Sequence, residues 1–584
     1  MKVIGKLGIG LATVLGGSYL GHLLFNQREW FNLAVTNYVQ VPMKEELEGL
    51  VPTGTQLLGF FVTQFPKQIL MLSQSDHFLI RNISQKILSS AILPEGFNIA
   101  AELDEVSDSV LTSLARESIL EESCFPGIKN CDLPQKNDKE LSEAFRQLLS
   151  SLPTSGQCAA WFTESAFHGG KSGHNLYKTI FWHPEDGDHL ETVSADDEIL
   201  LFLKALRKHS EVREHRSVIL EAGGLELLRL VSLNYGGVKV ERLVSHVLGN
   251  MAIDASSRDK IIKTGWLREL RRWIKSKDLI VKSQSLRALA NLDREGEKEQ
   301  IYDDGIFVAY PVERLKWCRP EIDIVFVHGL RGSPFRTWRS ETDDSLVQTP
   351  RNKTGCWPRD WFPVDIPRCR VVLVEYDTEL SGWTSKCPSQ PEVSTIEYRS
   401  SELLNKLKNA GIGRRPVVWF AHSMGGLMVK QILVDATKSS EFSSLQSNTK
   451  GVVFYAVPHK GSEIASMVAG KARYLFLPSS EVKALQKGSE YLEVLQKNFL
   501  DLVQNNKVEV LSFAETEPAK IVRDTLIVSP DSADFGVGEF IQLPANHYNV
   551  CKPRSRCDPT YVKTVDFVKR HLVDNENFMP IILF

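Results

Sequence analysis

Neither patterned cysteines nor an excess of one charge is found in the chain. The nine cysteines are odd in number and widely spread, and none forms a C-x-x-C pair, which argues against a zinc module or a disulfide framework. The net charge of −3 and the lack of a long basic run argue against a nucleic-acid partner. With 42% hydrophobic and 24% charged residues, the 584-residue chain is typical of a globular protein with two or three domains.

One long apolar run lies near the amino terminus, at residues 7–25, behind Lys2 and Lys6. Its 19 residues, at about 1.5 Å rise per residue, are just enough for a helix to cross the hydrocarbon core of a bilayer. No clear signal-peptidase site follows the run, and no arginine typical of a mitochondrial presequence precedes Arg28. We therefore expect residues 1–26 to be an N-terminal transmembrane anchor, with its orientation left open.

Residues 27–195 show patches of helical periodicity, which predict a mostly helical region of unknown role. Its "HPEDGDH" cluster, residues 183–189, has no second ligand pair on a regular element, so we expect a solvated loop and no metal site.

An internal repeat follows in residues 196–300. "AGGLELL" at 222–228 is echoed 42 residues later by "TGWLREL", and "VLGNMA" is echoed by "ALANLD". A period near forty residues resembles armadillo repeats, in which stacked helices leave a concave face. That face either binds a protein partner or merely shields the next domain.

Residues 301–584 alternate short strand-like runs with helical stretches. This alternation predicts an α/β domain with a mostly parallel sheet and helices on both faces. Ligands meet the carboxyl ends of the strands in such sheets, so the polar residues that end each run are the candidate site residues. The runs are "EIDIVFVHG", "CRVVLVEYD", "PVVWFAHS", "KGVVFYAVPHKG", "KVEVLSF" and "DTLIVSP".

The third run ends in the pentapeptide "AHSMG", which fits the nucleophile elbow G-x-S-x-G except that Ala421 replaces the first glycine. The strand must reverse into a helix within a couple of residues there, so the positions two before and two after the serine must be small. Ala421 and Gly425 meet that demand. The corner predicts Ser423 as a nucleophile exposed above the sheet, at the amino end of the following helix.

An oxyanion hole is expected on both sides of this serine. The backbone N–H of Met424, the residue after the nucleophile, supplies one donor. The first run ends at His328 and Gly329, and such a loop supplies the second donor, most plausibly the backbone N–H of Leu330. For the His328 side chain we expect a structural hydrogen bond to backbone.

A base for Ser423 is expected on a loop after a later strand. His459, in "VPHKGS", comes too early for the chain order serine, acid, histidine. His547, in "LPANHYNVCKP", follows the last strand-like run and precedes the terminal helix. We therefore predict His547 as the catalytic base.

The acid is expected between serine and histidine, after "KVEVLSF". Glu515 is the first choice, and Glu517, Asp531 and Asp534 remain alternatives. The carboxylate would hold the His547 tautomer and stabilise the imidazolium that forms during attack on an acyl carbonyl. This chemistry uses protein groups alone, so no metal or organic cofactor is implied.

Longer stretches resemble one known family. They are "VFVHGLRGSPFRTW", "CWPRDWFPVDIPRCRVVLVEYD", "FAHSMGGLMVKQIL", "FYAVPHKGS", "FAETEP" and "NHYNVCKP". With the apolar run and the helical repeat, they resemble the serine active site-containing protein 1 family of membrane-associated α/β-hydrolase lipases. The family's serine motif usually begins with glycine, so Ala421 is a mild departure.

The resemblance implies phospholipid acyl chemistry, in particular phosphatidylglycerol remodelling. It also implies a location at mitochondria and their contacts with the endoplasmic reticulum, and a link to intracellular lipid and cholesterol trafficking. The substrate would then be a membrane lipid.

The segment from "EIASMVAG" to "NFLDLV" has the length and apolar content of a cap over the site. Its apolar residues Met467, Val468, Tyr474, Leu475 and Phe476 either receive acyl chains or pack on the sheet. Two readings compete with a lipid hydrolase or acyltransferase: an inactive hydrolase-fold scaffold that binds partners through its repeats, and a peptidase.

Overall fold

The computed structural model describes residues between Asp108 and Leu572, all within one compact unit, residues 105–573. The described ranges are 108–116, 121–125, 138–154, 157–167, 195–293, 300–312, 320–330, 332–340, 355–376, 395–462, 484–519 and 526–572. The expected anchor and most of residues 27–195 lie outside them. Among the helices within these ranges, none combines the length and apolar character that crossing a bilayer requires.

A seven-stranded sheet forms the centre of the carboxy-terminal part. Its strand order is β1-β3-β2-β4-β5-β6-β7; β1 runs antiparallel to β3, and every other neighbouring pair is parallel. The strands are β1 Ile306–Tyr310, β2 Ile322–Val327, β3 Cys369–Val374, β4 Val417–His422, β5 Thr449–Tyr455, β6 Glu509–Glu515 and β7 Glu539–Leu543.

Both faces of the central strands are buried, so these strands read as continuous apolar runs. In β4, Val417, Trp419 and Ala421 belong to one core, and Val418 and Phe420 belong to the core on the opposite face. Period-two alternation thus divides one strand between two hydrophobic layers. The helices of this part are α11 Trp357–Asp360, α12 Phe362–Asp365, α13 Ile396–Asn409, α14 Met424–Ala436, α15 Ser443–Asn448, α16 Glu490–Asn506, α17 Pro530–Ala533 and α18 Pro559–Lys569.

Helices α13, α14 and α16 cover the first face, and α11, α12 and α18 cover the second. Helix α14 is buried along nearly all of its length, which matches its almost entirely apolar sequence. Helix α16 buries Leu492, Leu495, Phe499, Leu502 and Val503 in the first core, so this half of the expected cap packs on the sheet. The five proposed acyl-contact residues, 467–476, lie outside the described ranges.

A helical layer precedes the sheet. From Arg213 to Leu292 it consists of two successive three-helix units, and Gly223 and Gly265 occupy matching turns with φ of 76° in both. Only glycine adopts this left-handed conformation without strain, which explains the repeated glycine in the sequence. The helices are α1 Asp108–Ala115, α2 Asp138–Ser151, α3 Gln157–Phe167, α4 Ala195–Glu211, α5 Arg213–Glu221, α6 Gly224–Asn234, α7 Val238–Met251, α8 Ala255–Lys263, α9 Trp266–Trp273 and α10 Leu279–Leu292.

The sheet confirms the predicted α/β fold, with one strand placed wrongly and two missed. Residues 526–529 of "DTLIVSP" form no strand; they turn around the end of β6, and Pro530 begins the short helix α17. The last strand is instead "EFIQL", β7, and the first is "IFVAY", β1. Both are edge strands; the residues of β7 are half-buried or exposed, so this strand lacks the apolar run that marks a central strand.

Candidate active site

Ser423 is the single residue between strand β4 and helix α14. Its φ of 53° and ψ of −129° lie in a region that residues other than glycine rarely adopt. Its N–H continues the sheet by donating to Tyr455 O at 2.9 Å, and its carbonyl accepts the Gly426 N–H at 3.0 Å. The strained corner therefore holds the Ser423 hydroxyl at the carboxyl edge of the sheet, at the amino end of α14.

The neighbours of Ser423 are small because backbone passes close to them. A Cβ at Gly425 would lie 2.3 Å from His328 O and 2.6 Å from Val327 O. A Cβ at Gly329 would lie 2.7 Å from the Cβ of Ser423. Atoms cannot approach this closely, so glycine at both positions lets the loop after β2 lie directly against the nucleophile corner. Ala421 is fully buried in the sheet core, where its one methyl group is accommodated.

The structure brings the Ser423, His547 and Glu515 side chains together. His547 Nε2 lies 3.0 Å from Ser423 Oγ, and His547 Nδ1 lies 3.2 Å from Glu515 Oε2. The second contact has an ion-pair distance, although its N–H does not point straight at the oxygen. Neither Nδ1 nor Oε2 has another hydrogen-bond partner among the described residues.

Backbone groups orient the acid. Glu515 is the last residue of β6 and is fully buried. Its Oε1 accepts the Val528 N–H at 2.6 Å, which leaves Oε2 for the imidazole of His547. Residues 526–529, which the sequence predicted to be a strand, thus form a loop against the Glu515 carboxylate and fix its rotamer.

His547 lies in a tight turn after β7. Asn546 Oδ1 accepts the N–H groups of Tyr548 and Asn549 at 3.1 and 3.2 Å, an Asx turn that shapes the loop. Four residues after the histidine, Cys551 O accepts the indole N–H of Trp357 at 3.1 Å. The imidazole is therefore placed by its own loop and by packing against the second core.

His422, the residue before the nucleophile, also holds this loop. Its ring is buried, and its Nε2 lies 2.8 Å from the carbonyl of His547. A carbonyl can only accept, so Nε2 carries the proton and donates. Burial lowers the pKa of His422 well below its usual value, and the ring is therefore neutral. The only sign of this role in the sequence is the position of His422 next to Ser423, and the role was not predicted from it.

The loop expected to supply the second oxyanion donor is held by Tyr376, just after β3. The Tyr376 hydroxyl donates to His328 O at 2.6 Å, and its ring stacks on the His328 imidazole with centroids 4.5 Å apart. His328 Nδ1 donates to Gly329 O at 2.9 Å, the backbone contact expected from the sequence. The structure thus places Gly329 directly beside Ser423, and Leu330, the next residue, is half-buried.

The alternative acids and base lie elsewhere. Glu517 is exposed, Asp531 pairs with Lys460 at 2.8 Å, and Asp534 Oδ1 accepts the Gly536 N–H at 2.9 Å.

His459 is buried against Phe454 and Phe535. Its Nδ1 lies 3.4 Å from the Nζ of Lys430, a buried lysine whose pKa burial lowers to about 7. His459 therefore contacts α14 at Lys430, and the histidine at the Ser423 hydroxyl is His547.

One trio of side chains in the described ranges has the spacing of a metal site: Glu211, His246 and Asp304. Arg287 Nε donates to Gln284 Oε1 at 2.9 Å, so the amide nitrogen of Gln284 faces His246 Nδ1, at 3.0 Å. His246 thus carries its proton on Nε2, which lies 2.6 Å from Asp304 Oδ1 without the alignment of a hydrogen bond, and burial lowers the pKa of His246 to about 3. A metal at Nε2 would need that proton on Nδ1, so the trio favours an internal pairing over an ion.

A cleft of about 290 Å³ lies at the opposite edge of the sheet. It is lined by the first residues of β6 and β7, by Phe567 of α18 and by Arg570 just after this helix. In parallel strands the amino and carboxyl ends lie on opposite edges, so this cleft is separate from the Ser423 site.

The sheet and the site together define a class. An antiparallel first strand, a strand–Ser423–helix corner after β4, a carboxylate ending β6 and a histidine after β7 are the arrangement of the α/β-hydrolases. The chain belongs to the SERAC1 family. Protein SERAC1 of Danio rerio is 40% identical over 451 residues, which are 74% of this chain and 68% of the relative. Protein SERAC1 of Homo sapiens is 39% identical over 460 residues, 76% and 69% of the two chains.

No protein-family model matches the chain. Among solved structures, the mature lipase BlEst2 of Bacillus licheniformis is similar over 44% of this chain and 97% of its own, at 14% identity and a TM-score of 0.29. The phospholipase PlaB of Legionella pneumophila is similar over 42% of this chain and 59% of its own, at 12% identity and a TM-score of 0.31.

Proposed function

We propose that the chain is a serine hydrolase or acyltransferase that acts on lipid esters. The observation that carries this proposal is the 3.0 Å separation of Ser423 Oγ and His547 Nε2 at a strained strand–helix corner. Burial of Glu515 behind the second ring nitrogen supports it, since a carboxylate there stabilises an imidazolium. An accidental serine–histidine contact would not be expected to include this third group.

In the proposed mechanism Ser423 Oγ attacks the ester carbonyl and transfers its proton to His547 Nε2. The carbonyl oxygen becomes an oxyanion, which the N–H groups of Met424 and Leu330 stabilise. The C–O bond to the alcohol then breaks, and His547 returns the proton to the leaving oxygen. A second alcohol or water, deprotonated by His547, then attacks the acyl carbonyl; the bond from the acyl carbon to Ser423 Oγ breaks, and His547 returns the proton to Ser423 Oγ.

The substrate class rests on the family resemblance. It supports a phospholipid substrate, with phosphatidylglycerol as the specific candidate, at mitochondria and their contacts with the endoplasmic reticulum. An anchor at residues 1–26 would keep the site at a membrane surface, where such a lipid is concentrated. A role in intracellular lipid and cholesterol trafficking would follow from a change in phospholipid composition.

The test is turnover of defined vesicles. The whole chain and its Ser423→Ala variant are incubated with phosphatidylcholine vesicles that contain phosphatidylglycerol, and the lipids are analysed by mass spectrometry. We expect the wild type to release fatty acid or to exchange acyl chains on phosphatidylglycerol, and Ser423→Ala to do neither. Free fatty acid indicates water as the acceptor, and a changed acyl pattern without free acid indicates transfer.

Equal turnover by Ser423→Ala would contradict the proposed nucleophile. A folded wild type that turns over no lipid or peptide ester would instead support the inactive scaffold. Turnover of peptide substrates alone would support a peptidase.

A further inference from the structure

Residues 300–305, here named the linking segment, run between the helical layer and strand β1. The side chain of Asn291, in α10, binds the backbone of this segment. The Tyr302 N–H donates to Asn291 Oδ1 at 2.9 Å, and Asn291 Nδ2 donates to Tyr302 O at 3.0 Å. The oxygen and the nitrogen of the Asn291 side-chain amide thus both bond the backbone of Tyr302, the way a groove binds a peptide main chain.

Buried polar and charged side chains, one on α7 and one on α10, hold the next residues of the linking segment. Asp304 Oδ1 lies 2.6 Å from His246 Nε2 and 3.6 Å from the guanidinium of Arg287, which is fully buried. Arg287 in turn donates to Asn250 Oδ1 at 2.8 Å. A Cβ at Gly249 would lie 2.6 Å from the Arg287 guanidinium, so the glycine of the "VLGN" motif makes room for this side chain.

The opposite side of the linking segment contacts the sheet part. The Ile301 N–H donates to Asn409 O at 3.0 Å, and Asn409 Nδ2 donates to Asp303 Oδ2 at 2.8 Å. Gly305 O accepts the Glu375 N–H at 2.8 Å, and a Cβ at Gly305 would lie 2.5 Å from Glu375 O. The segment is therefore bound on both sides within one chain.

Glu375 is followed directly by Tyr376, whose hydroxyl and ring hold His328. His328 O lies against Gly425, and Gly329 lies against Ser423. A continuous series of contacts therefore runs from Asn291 to the loop of the expected oxyanion hole.

We propose that the polar face of the helical layer, formed by His246, Arg287 and Asn291, binds the chain's own linking segment. Through Tyr376, this binding positions the loop at Gly329 and Leu330. The partner that fits this face is an extended main chain with an acidic residue two positions after the bound tyrosine, and the chain supplies it itself. The helical layer then acts as a positioning element of the hydrolase rather than as a groove for an external protein. The effect on catalysis rests on the proposed function; the binding of the segment does not.

The test compares Asn291→Ala with Asn250→Ala in the whole chain. Asn250 is the matching buried asparagine one unit earlier, and its side chain bonds Arg287 and Ser210 but not the linking segment. Hydrogen exchange is followed at Tyr302, Gly329 and Leu330, and a fluorophosphonate probe measures reaction at Ser423. For Asn291→Ala we expect faster exchange at all three amides and a maximal labelling rate about tenfold lower with unchanged probe affinity. For Asn250→Ala, which leaves both hydrogen bonds between Asn291 and Tyr302 in place, we expect smaller changes than for Asn291→Ala in amide exchange and in labelling rate.

Tyr376→Phe tests the last contact of this series, the hydrogen bond from the Tyr376 hydroxyl to His328 O, and keeps an aromatic ring in the core. We expect it to slow labelling while leaving exchange at Tyr302 unchanged, and it decides the question if Asn291→Ala does not fold. Normal exchange at Gly329 and Leu330 in a folded Asn291→Ala variant, or normal labelling by Tyr376→Phe, would overturn the proposal. If wild type is not labelled at all, the proposed function fails, and exchange at Gly329 and Leu330 still decides the positioning role.

Discussion

At the scale of single residues, two backbone contacts decide where the proposed catalytic side chains lie. The Val528 N–H fixes one oxygen of Glu515, and His422 fixes the carbonyl of His547. The sequence alone supported Ser423, His547 and Glu515 through motif and chain order, and the structure brings these side chains together. The sequence did not reveal the roles of Val528 and His422, because a contact between residues far apart in the chain leaves no local pattern.

The first residue-scale prediction concerns Glu515→Gln. The glutamine Oε1 can keep the Val528 N–H bond, so its NH₂ group would face His547 Nδ1. His547 Nδ1 would then have to accept a hydrogen bond, so the imidazole proton would lie on Nε2. A protonated Nε2 cannot take the proton of Ser423 Oγ, and general-base catalysis is blocked. We expect the rate of fluorophosphonate labelling to fall by about 10³- to 10⁴-fold with thermal stability nearly unchanged. A rate within tenfold of wild type would mean that Glu515 does not orient the base, and Glu517→Gln is the matched control.

A second residue-scale prediction concerns His422→Phe. This change keeps a buried ring but removes the donor to the His547 carbonyl, at a cost of about 1–3 kcal/mol. The base is then held less firmly, so we expect kcat to fall more than tenfold while KM stays within about twofold. His422→Gln retains an N–H donor and should recover part of kcat. Equal kcat for the glutamine and phenylalanine variants would show that the hydrogen bond has no positioning role.

At the scale of elements, the central strands were easy to predict because both of their faces are buried, and the edge strands were hard to predict. Five apolar runs correspond to β2–β6, because each buries both faces. The edge strands β1 and β7 carry weaker patterns, and "DTLIVSP" is apolar because Val528 and its neighbours pack around Glu515. Apolar sequence therefore predicted burial correctly, but it could not predict whether a segment pairs with a neighbouring strand.

An element-scale prediction concerns the contact of α3, α4 and α5. His209 Nε2 lies 2.8 Å from Thr163 Oγ1, and His209 Nδ1 lies 2.9 Å from His215 Nδ1. Burial lowers the pKa of His209 to about 4, so between about pH 4 and 6.5 the unfolded chain binds a proton that the folded chain excludes. The free energy of unfolding should therefore fall as pH drops through this window, by at most about 3 kcal/mol from this group.

The check is the thermal midpoint at pH 7.5 and pH 5.0 for wild type and His209→Gln. We expect the loss on acidification to be smaller in the variant, which cannot gain this proton. An equal loss in both proteins would show that His209 is not the group that titrates.

At the scale of the whole molecule, the helical layer and the sheet share one hydrophobic core. Ala290 of α10 and Tyr302 of the linking segment belong to the same core as Ile306 of β1. The repeat period predicted stacked helices. It could not show that the linking segment of the same chain occupies their polar face, since nothing in "ALANLD" indicates what its asparagine binds. The anchor, the armadillo resemblance and the domain limits stay predictions.

The central claim is that Ser423 is an activated nucleophile. The most direct measurement is reaction of the whole chain with a fluorophosphonate probe, followed by mass-spectrometric mapping of the modified peptide. We predict one modified residue, Ser423, no labelling of Ser423→Ala, and labelling slowed at least about 10³-fold in His547→Gln. Folded wild type that stays unlabelled, or a label that persists in Ser423→Ala, would contradict the account.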